Sequence, residues 1–175
     1  MARNADLASA LAGHPFLSSI PAGSLRRLAA HVEPRTYAPG QQIFAENGVA
    51  DRFLLIRQGL VRLDLDIGEA SPVEVELLGS GSALGWSWLF EPYRWQLSAT
   101  AVEHTSCLVF DADMVRAVMA SDPVLGYELM RRFAALLFDR LQATRRTLSP
   151  KQITLPTANV SGPWAGRRTT STLWA

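Results

Sequence analysis

Residues 46–61 read ENGVADRFLLIRQGLV and carry the clearest fold signal in the chain. Two apolar runs, 53–57 and 60–65, flank Gly59, and glycine suits the turn between two strands because it tolerates positive φ. Similar short runs, separated by Gly, Pro, Asn and Asp, continue on both sides, at 32–37, 42–44, 73–78, 97–101 and 107–110. This rhythm predicts an antiparallel barrel or sandwich.

Helical patterns flank the predicted strands. Before them lie the Ala-rich residues 5–12 and a second helix, for which Ser24 is the N-cap candidate. After them, residues 111–120 predict a short helix, and Asp122 precedes a longer helix that runs to about Thr147. The fold class is therefore mainly β with flanking helices.

The long C-terminal helix carries more apolar residues than one small β-domain should cover. They recur largely at spacings of three and four, as Leu129, Met130, Phe133, Leu136, Leu137 and Leu141, with Leu148 close behind. Because an exposed stripe of this size is an aggregation hazard, we expect the helix to form a homodimer seam. The seam residues would be Met130, Phe133, Leu137 and Leu141. Packing of the whole face against the chain's own β-domain is the alternative.

Charge is distributed unevenly along the 175 residues. Residues 1–130 hold nine Arg and fifteen Asp or Glu, whereas 131–175 hold eight Lys or Arg and the single acid Asp139. A basic end can attract nucleic acid, anionic lipid or an acidic partner. Because five of these arginines fall on the predicted helix, a solvated helix face is the plainer explanation.

The cysteine and histidine content argues against metal and redox sites. One cysteine, Cys107, permits no intramolecular disulfide or multi-cysteine cluster, and its position on a predicted strand indicates a buried apolar role. His14, His31 and His104 lie on different elements without clustered carboxylates, so no metal site is expected.

Enzymatic and membrane signatures are also missing from the sequence. The acid pairs Asp64/Asp66 and Glu74/Glu76 have strand spacing and are expected to face solvent. No nucleophile elbow or P-loop occurs, and no apolar run approaches the ~20 residues of a membrane span. Without a signal peptide pattern, we expect a cytoplasmic protein that is not an enzyme and not in a membrane.

Several strings, in the same order, resemble the cyclic nucleotide-binding domain superfamily of the catabolite activator, Crp–Fnr regulators and kinase regulatory subunits. Residues 14–21 resemble its first helix and turn, 37–44 its first hairpin, and 139–144 the end of its central helix, while 46–61 is the strongest match. The resemblance spans about residues 14–148. It implies a double-stranded β-helix (jelly-roll) roll of eight strands, flanked by helices and often dimeric, with ligand held between the roll and a long C-terminal helix.

The resemblance divides the chain into four segments. These are a helical segment at 1–31, the β-roll at 32–110, C-terminal helices with the dimer helix at 111–148, and a Thr-, Ser-, Pro- and Gly-rich tail at 149–175, expected to be mobile. Crp-type regulators continue into a winged helix-turn-helix. The tail shows no helical periodicity, so sequence-specific DNA binding is not expected.

Residues 85–98, GWSWLFEPYRWQLS, stand where that superfamily has its phosphate-binding cassette, and they depart from it. The cassette grips a cyclic nucleotide with a carboxylate for the ribose and an Arg for the phosphate, in addition to backbone N–H groups. The resemblance puts Trp86 at the acidic position and Leu97 at the Arg position. Arg94 is the nearby cation, and an apparent extra loop residue leaves open whether it reaches the site.

The candidate pocket nevertheless remains at this cassette, because its glycine turn could still accept an anion. Its residues are Gly85, Trp86, Ser87, Trp88, Arg94, Leu97 and Ser98. The aromatic residues of the cassette are expected to fill the roll or contact a partner rather than stack on a base. They are Trp86, Trp88, Tyr93 and Trp95.

The sequence thus predicts a non-enzymatic regulatory or sensor module of signal transduction, with a degenerate nucleotide site. A cyclic nucleotide is an open but disfavoured ligand, the small-molecule effector is unidentified, and a homodimer and a protein partner are expected. One alternative is a Crp–Fnr-like transcription regulator or cyclic-nucleotide receptor that contacts DNA or a partner through its basic C-terminal end. Another is a ligand-free roll that serves as the structural partner of an enzyme complex.

Overall fold

Eight strands build the β-roll in the computed structural model, which describes residues 2–68 and 71–148. They are β1 (Val32–Tyr37), β2 (Gln42–Phe44), β3 (Arg52–Gln58), β4 (Leu60–Leu65), β5 (Val73–Gly79), β6 (Ala83–Leu84), β7 (Ser98–Ala101) and β8 (Thr105–Asp111). The first sheet has the order β1-β8-β3-β6 and the second has β2-β7-β4-β5, and all pairings are antiparallel. The predicted fold class is confirmed.

Four α-helices accompany the roll within the described residues. They are α1 (Ala2–Ala12), α2 (Ala22–Ala29), α3 (Ala112–Ser121) and α4 (Pro123–Leu148), with 3₁₀ turns at Pro15–Leu17 and Ser87–Leu89. The chain divides into two compact units, Met1–Leu136 and Leu137–Ala175, and the boundary falls within α4. The tail predicted at 149–175 lies outside the described residues, and the segment boundaries drawn from the sequence remain predictions.

The helix starts follow local capping chemistry. Asp111 caps α3, and its carboxylate accepts a hydrogen bond from the Met114 amide at 2.9 Å. Ser24 does not cap α2, contrary to the sequence prediction, because Pro21 occupies that position and the helix already begins at Ala22. The Ser24 hydroxyl instead donates to Asp122 Oδ2 at 3.3 Å, which ties α2 to the start of α4.

Two apolar clusters lie on opposite faces of the first sheet, because successive side chains of a strand point to opposite sides. In β3, Phe53 and Leu55 join the helix-side cluster, whereas Leu54 and Ile56 join the roll-interior cluster. The helix-side cluster also contains Leu11, Leu28, Phe110, Val115, Leu129 and Phe133. The roll-interior cluster also contains Tyr37, Val61, Leu63, Leu78, Leu84, Ala99, Ala101, Cys107 and Val109.

The first unit uses one side of α4 for its own core. Phe133 is only 2% exposed and makes edge contacts with Phe16, Phe53 and Trp88 at centroid distances of 4.9, 5.4 and 5.7 Å. Its assignment to a dimer seam is therefore wrong. Its aromatic ring fills the space between helix and sheet, and sequence spacing alone did not separate this buried side from the exposed one.

The exposed side of α4 carries other apolar residues. In the first unit Val124, Tyr127 and Met130 are exposed. In the second unit Phe138 and Leu141 are 59% and 51% exposed. Leu137 is half-buried.

Asp64 departs from the expected solvated position. It is buried and accepts two hydrogen bonds from Arg62 Nε, at 2.8 and 3.0 Å. The register of β4 against β5 shifts between Leu63 and Asp64 because Val75 of β5 is skipped, whereas β4 pairs with β7 without a shift, so Asp64 and Arg62 share one face of β4. The prediction that Asp64 faces solvent is thus wrong, because the carboxylate is bound by Arg62, two residues earlier on the same strand, and is largely removed from solvent.

Candidate ligand site

The cassette begins with a glycine that no other residue could replace without strain. Gly85 follows β6 with φ of +80°, in the left-handed region that favours glycine. A Cβ atom on Gly85 would lie 2.8 Å from Cζ3 of Trp95. The turn therefore requires glycine twice, once for its backbone angle and once to make room for the indole above it.

Trp95 is fixed by both its ring and its backbone. Its ring is 3% exposed and stacks on Phe44, with a centroid distance of 4.0 Å and an interplanar angle of 11°. Its amide donates to the Gly48 carbonyl and its carbonyl accepts from the Asn47 amide, both at 2.9 Å. The end of the cassette is thus bound to the loop that precedes β3.

Arg94 does not replace the missing arginine of the family. Its side chain is exposed, and Nη1 donates to the Asn47 carbonyl at 3.0 Å. Its backbone forms an isolated bridge with Val49. The guanidinium is therefore engaged by the neighbouring surface loop rather than by the roll interior.

Leu97 and Ser98 both have structural partners. Leu97 packs against the roll-interior cluster. The Ser98 hydroxyl accepts a hydrogen bond from the Glu46 amide at 3.0 Å and so fixes the loop between β2 and β3. An aliphatic side chain thus occupies the position where the family resemblance places the phosphate-binding guanidinium.

The aromatic residues of the cassette pack differently from the prediction. Trp88 and Trp95 belong to the helix-side cluster, and half-buried Trp86 packs against the same cluster. The prediction that these indoles fill the roll is wrong, because the 3₁₀ turn at Ser87–Leu89 directs Trp88 toward Phe53 and Phe133. Aliphatic and alanine side chains fill the roll interior instead.

Backbone hydrogen bonds close the 3₁₀ turn at Ser87–Leu89, and two of its side chains are buried. Ser87 is buried at the start of the turn, and the amides of Leu89 and Phe90 donate to the carbonyls of Trp86 and Ser87. Trp88 is fully buried, and its indole Nε1 has no hydrogen-bond partner among the described residues. A buried donor without an acceptor costs about 1–3 kcal/mol, so packing of the ring must more than offset it.

Arg116 of α3 contacts the cassette, and the sequence did not indicate this contact. Its Nη1 donates to the Trp88 carbonyl at 2.7 Å, and its guanidinium lies 4.7 Å from the centroid of the Tyr93 ring. Asp113, one turn earlier on α3, forms an ion pair with it. The pair at spacing three was visible in the sequence, but nothing there indicated that the arginine reaches a cassette carbonyl.

Cations near the roll interior are already paired. Arg35 binds Glu33 at 3.0 Å, and Arg52 binds both carboxylate oxygens of Asp51, at 2.6 and 2.8 Å. The Arg52 hydrogen bonds hold the pKa of Asp51 below its usual range. These four residues and Asp111 line a cavity of about 270 Å³, so its Arg, Asp and Glu side chains carry no surplus positive charge.

Other candidate chemistry at the roll is inert or absent. Burial raises the pKa of the Cys107 thiol to about 12, so its thiolate fraction near neutral pH is negligible. Within residues 2–68 and 71–148, no group of His, Cys, Asp or Glu is arranged to hold a metal ion. None of the described helices is long and apolar enough to span a bilayer.

The β-roll, its flanking helices and a glycine turn between β6 and β7 define a roll of the jelly-roll type. The model of the family described as "Cyclic nucleotide-binding domain" matches residues 34–122, half of the chain, and the protein belongs to this family. The resemblance identified from the sequence is confirmed.

Comparison with known proteins gives relatives of several kinds. The "CRP-like cAMP-activated global transcriptional regulator" of Mycobacterium tuberculosis is 23% identical over 139 residues, which cover 79% of this chain and 60% of that protein. A cyclic nucleotide-binding domain from Methylobacillus flagellatus KT matches with a TM-score of 0.72 and 20% identity, covering 86% of this chain and 84% of that one. The regulatory subunit of a "cAMP-independent protein kinase A" from Trypanosoma brucei matches with a TM-score of 0.63 and 16% identity, over 83% and 48% of the two chains.

Proposed function

We propose that the protein is a non-enzymatic regulatory module in which the nucleotide site of the family is degenerate. The main support is Leu97, which packs into the roll interior at the position where the family resemblance places an arginine. The Arg94 guanidinium donates to the Asn47 carbonyl, so it does not supply the missing positive charge. The uncharged Trp95 indole packs against the Gly85 turn. A fold relative described as cAMP-independent offers a parallel on the level of the fold.

The size of the expected loss follows from the two missing partners. A charge-assisted hydrogen bond contributes about 1.5–3 kcal/mol, so losing the acidic and the basic partner costs roughly 3–6 kcal/mol. This corresponds to a weakening of about a hundredfold to ten-thousandfold. A receptor with a Kd of about 1 µM would then bind with a Kd between about 0.1 and 10 mM.

Calorimetry of the full chain with cyclic AMP and cyclic GMP tests this proposal. We expect no binding tighter than about 100 µM. The double variant Trp86→Glu with Leu97→Arg should bind more tightly than the parent, and Leu97→Met, which restores no charge, serves as the matched control. Submicromolar binding by the unmodified protein would refute the proposal.

We also propose that the exposed side of α4 forms a homodimer seam. Its support is the pair of exposed residues Phe138 and Leu141 in the second unit, because an uncovered apolar stripe favours association. Leu141→Arg should weaken the dimer at least tenfold in light scattering or sedimentation. Asp139→Arg adds more positive charge on the same helix without removing an apolar group and should leave the dimer intact. An unchanged dimer in Leu141→Arg contradicts the seam.

A Crp–Fnr-like regulator that contacts DNA is the second candidate function. It is favoured by the basic residues after 130 and by the transcriptional regulator among the relatives, of which the chain spans 60%. Against it, Arg131 pairs with Glu128 and Arg132 donates to the Ser18 carbonyl, so part of the basic set is engaged within the protein. DNA binding that falls steeply between about 50 and 200 mM salt would support this function.

A further inference from the structure

A groove lies between the end of α1 and the end of β3. Its volume is about 430 Å³, which is the size of a site for a small molecule. One wall is formed by the last turn of α1 and the 3₁₀ turn that follows it, and the other by the end of β3 and the turn between β5 and β6. We call this cavity the α1–β3 groove. The residues that line it are Ala10, Gly13, His14, Pro15, Ile56, Arg57, Ser80 and Gly81.

Hydrogen bonds to one backbone carbonyl hold the two walls together. The Ile56 carbonyl accepts from His14 Nε2 at 3.2 Å and from the Gly81 amide at 2.8 Å. Gly81 has φ of +85°, and a Cβ atom on it would lie 3.4 Å from Pro15 Cγ, so glycine lets the two turns approach closely. The shape of the groove is therefore fixed by contacts within the protein.

A bulge removes Arg57 from the regular ladder of β3. Ile56 pairs with Cys107 of β8. Gln58 pairs with the residue just before Cys107, so the register skips Arg57. Bulges re-aim side chains and are over-represented beside active sites. Arg57 is exposed at the groove, and among the described residues no hydrogen bond or ion pair engages its guanidinium, so the cation is free to meet a ligand.

The other groups at the groove leave room for an anion. The Ser80 hydroxyl is exposed and likewise has no partner within the part of the chain that the structure describes. No Asp or Glu is among the described residues that line the groove. Both ring nitrogens of His14 are engaged, because Nδ1 accepts from the Phe16 amide. The groove thus differs from the 270 Å³ cavity, in which arginines are paired with carboxylates.

The charge of the groove favours a monocarboxylate over a phosphate ester. Arg57 is the single cation among the described lining residues, and its guanidinium matches the two oxygens of one carboxylate. A phosphate dianion would keep an uncompensated charge in the groove. The carboxylate should lie at Arg57 and Ser80, because the opposite wall contains the C-terminal end of α1, which carries partial negative charge.

We propose that the α1–β3 groove binds a small molecule with one carboxylate and an apolar body. Arg57 and Ser80 bind the carboxylate, while Ala10 and Pro15 contact the apolar body. Ile56 connects the groove with the roll, because its carbonyl belongs to the groove wall and its side chain to the roll-interior cluster. The inference rests on the proposed regulatory role, because it gives the module an effector site away from the cassette.

Benzoate is the probe, titrated into the full chain by isothermal calorimetry. Benzamide has the same shape without the charge, and phenyl phosphate is mainly a dianion at neutral pH. Benzoate should bind at least about tenfold more tightly than benzamide, and more tightly than phenyl phosphate. Equal binding of benzamide, tighter binding of phenyl phosphate, or no saturable benzoate binding up to about 10 mM would each overturn the proposal.

Matched arginine variants locate the binding on the protein. Arg57→Gln should weaken benzoate binding at least about tenfold. Arg26→Gln makes the same change at an exposed arginine of α2 and should have no effect. Arg57→Lys keeps the charge without the planar fork and should bind with intermediate affinity. Equal losses at positions 57 and 26 would show unspecific attraction to positive charge and contradict the site.

Filling the groove is a test that does not depend on charge. Ala10→Leu adds volume to the groove wall and should weaken benzoate binding, whereas Ser9→Leu adds a similar side chain at the exposed neighbouring position. Thermal unfolding checks that both variants are folded. Unchanged binding by folded Ala10→Leu places benzoate elsewhere and refutes the groove. Cyclic-nucleotide calorimetry reports on the cassette, so tight nucleotide binding would refute the degenerate site while the Arg57 result is read separately.

Discussion

The two faces of the first sheet are built from different kinds of side chain. On the helix side, Phe53 stacks on Phe110 at 4.2 Å and meets Trp88 and Phe133, so aromatic rings dominate the contact between sheet and helices. The roll interior is filled mainly by Leu, Ile, Val and Ala. One face of the sheet therefore packs aromatic rings against the helices, whereas the other lines the roll interior mainly with aliphatic side chains.

The two faces attach the cassette by different kinds of contact. Trp88 and Trp95 attach it to the aromatic side, while Leu97 closes the aliphatic side. Each attachment is a packing contact that exists within the protein itself. In a nucleotide receptor of this family, part of that role is expected to fall to the ligand's phosphate.

Removing the central indole should produce the largest effect on this arrangement. Trp88→Ala deletes a fully buried ring between Phe53 and Phe133 and should lower the free energy of unfolding by about 3–5 kcal/mol. Chemical denaturation of the parent and the variant measures this change. Trp88→Phe is the matched control. It should cost clearly less, because it keeps the aromatic packing and removes an indole N–H that lacks a partner among the described residues. A cost for Trp88→Phe as large as that for Trp88→Ala would show that the indole nitrogen has an unrecognised partner.

A second comparison tests the joint between cassette and roll. Gly85 and Gly40 have nearly the same φ, +80° and +79°, but a Cβ on Gly40 meets nothing within 4 Å. Gly40→Ala should cost about 1–2 kcal/mol from the backbone angle alone. Gly85→Ala should cost about 1–3 kcal/mol more, because its methyl group would strike Trp95. If the two variants unfold at the same denaturant concentration, the indole is free to move away.

Protonation of a buried histidine should give the smallest effect. His14 Nδ1 accepts from the Phe16 amide and Nε2 donates to the Ile56 carbonyl, both at 3.2 Å, and burial lowers the pKa of His14 below its usual value of 6.5. Since the unfolded chain takes up the proton at higher pH, stability is full above pH 6.5 and falls as the pH drops below it. The slope cannot exceed about 1.4 kcal/mol per pH unit for one proton.

Denaturation at several pH values between 7.5 and 5 measures this slope. His14→Gln should flatten it, although the variant is less stable overall. His104 is exposed, and His104→Gln serves as the control that should leave the slope unchanged. An identical slope in His14→Gln would assign the pH dependence to other groups.

Sequence reasoning predicted the elements whose residues carry a periodic signal. Seven of the eight strands and all four helices were predicted, whereas β6 was missed because two residues give no alternation. The departures of the cassette at Trp86 and Leu97 were also visible in the sequence. What periodicity could not determine was which neighbour each side chain would meet. Phe133 proved to be a core residue because its ring contacts lie on other elements. Asp64 proved to be buried beside Arg62 of its own strand, an ion pair that the strand spacing alone did not indicate.

Arg116 links local opening of the cassette to the stability of α3. Its guanidinium holds the Trp88 carbonyl and lies against the Tyr93 ring, so the cassette cannot separate from the rest of the protein while α3 keeps its place. Local opening of the cassette and fraying of α3 are thereby linked into one cooperative event. Amide hydrogens in the two segments should exchange with solvent at a common opening free energy. We therefore expect opening of the cassette to follow the stability of α3.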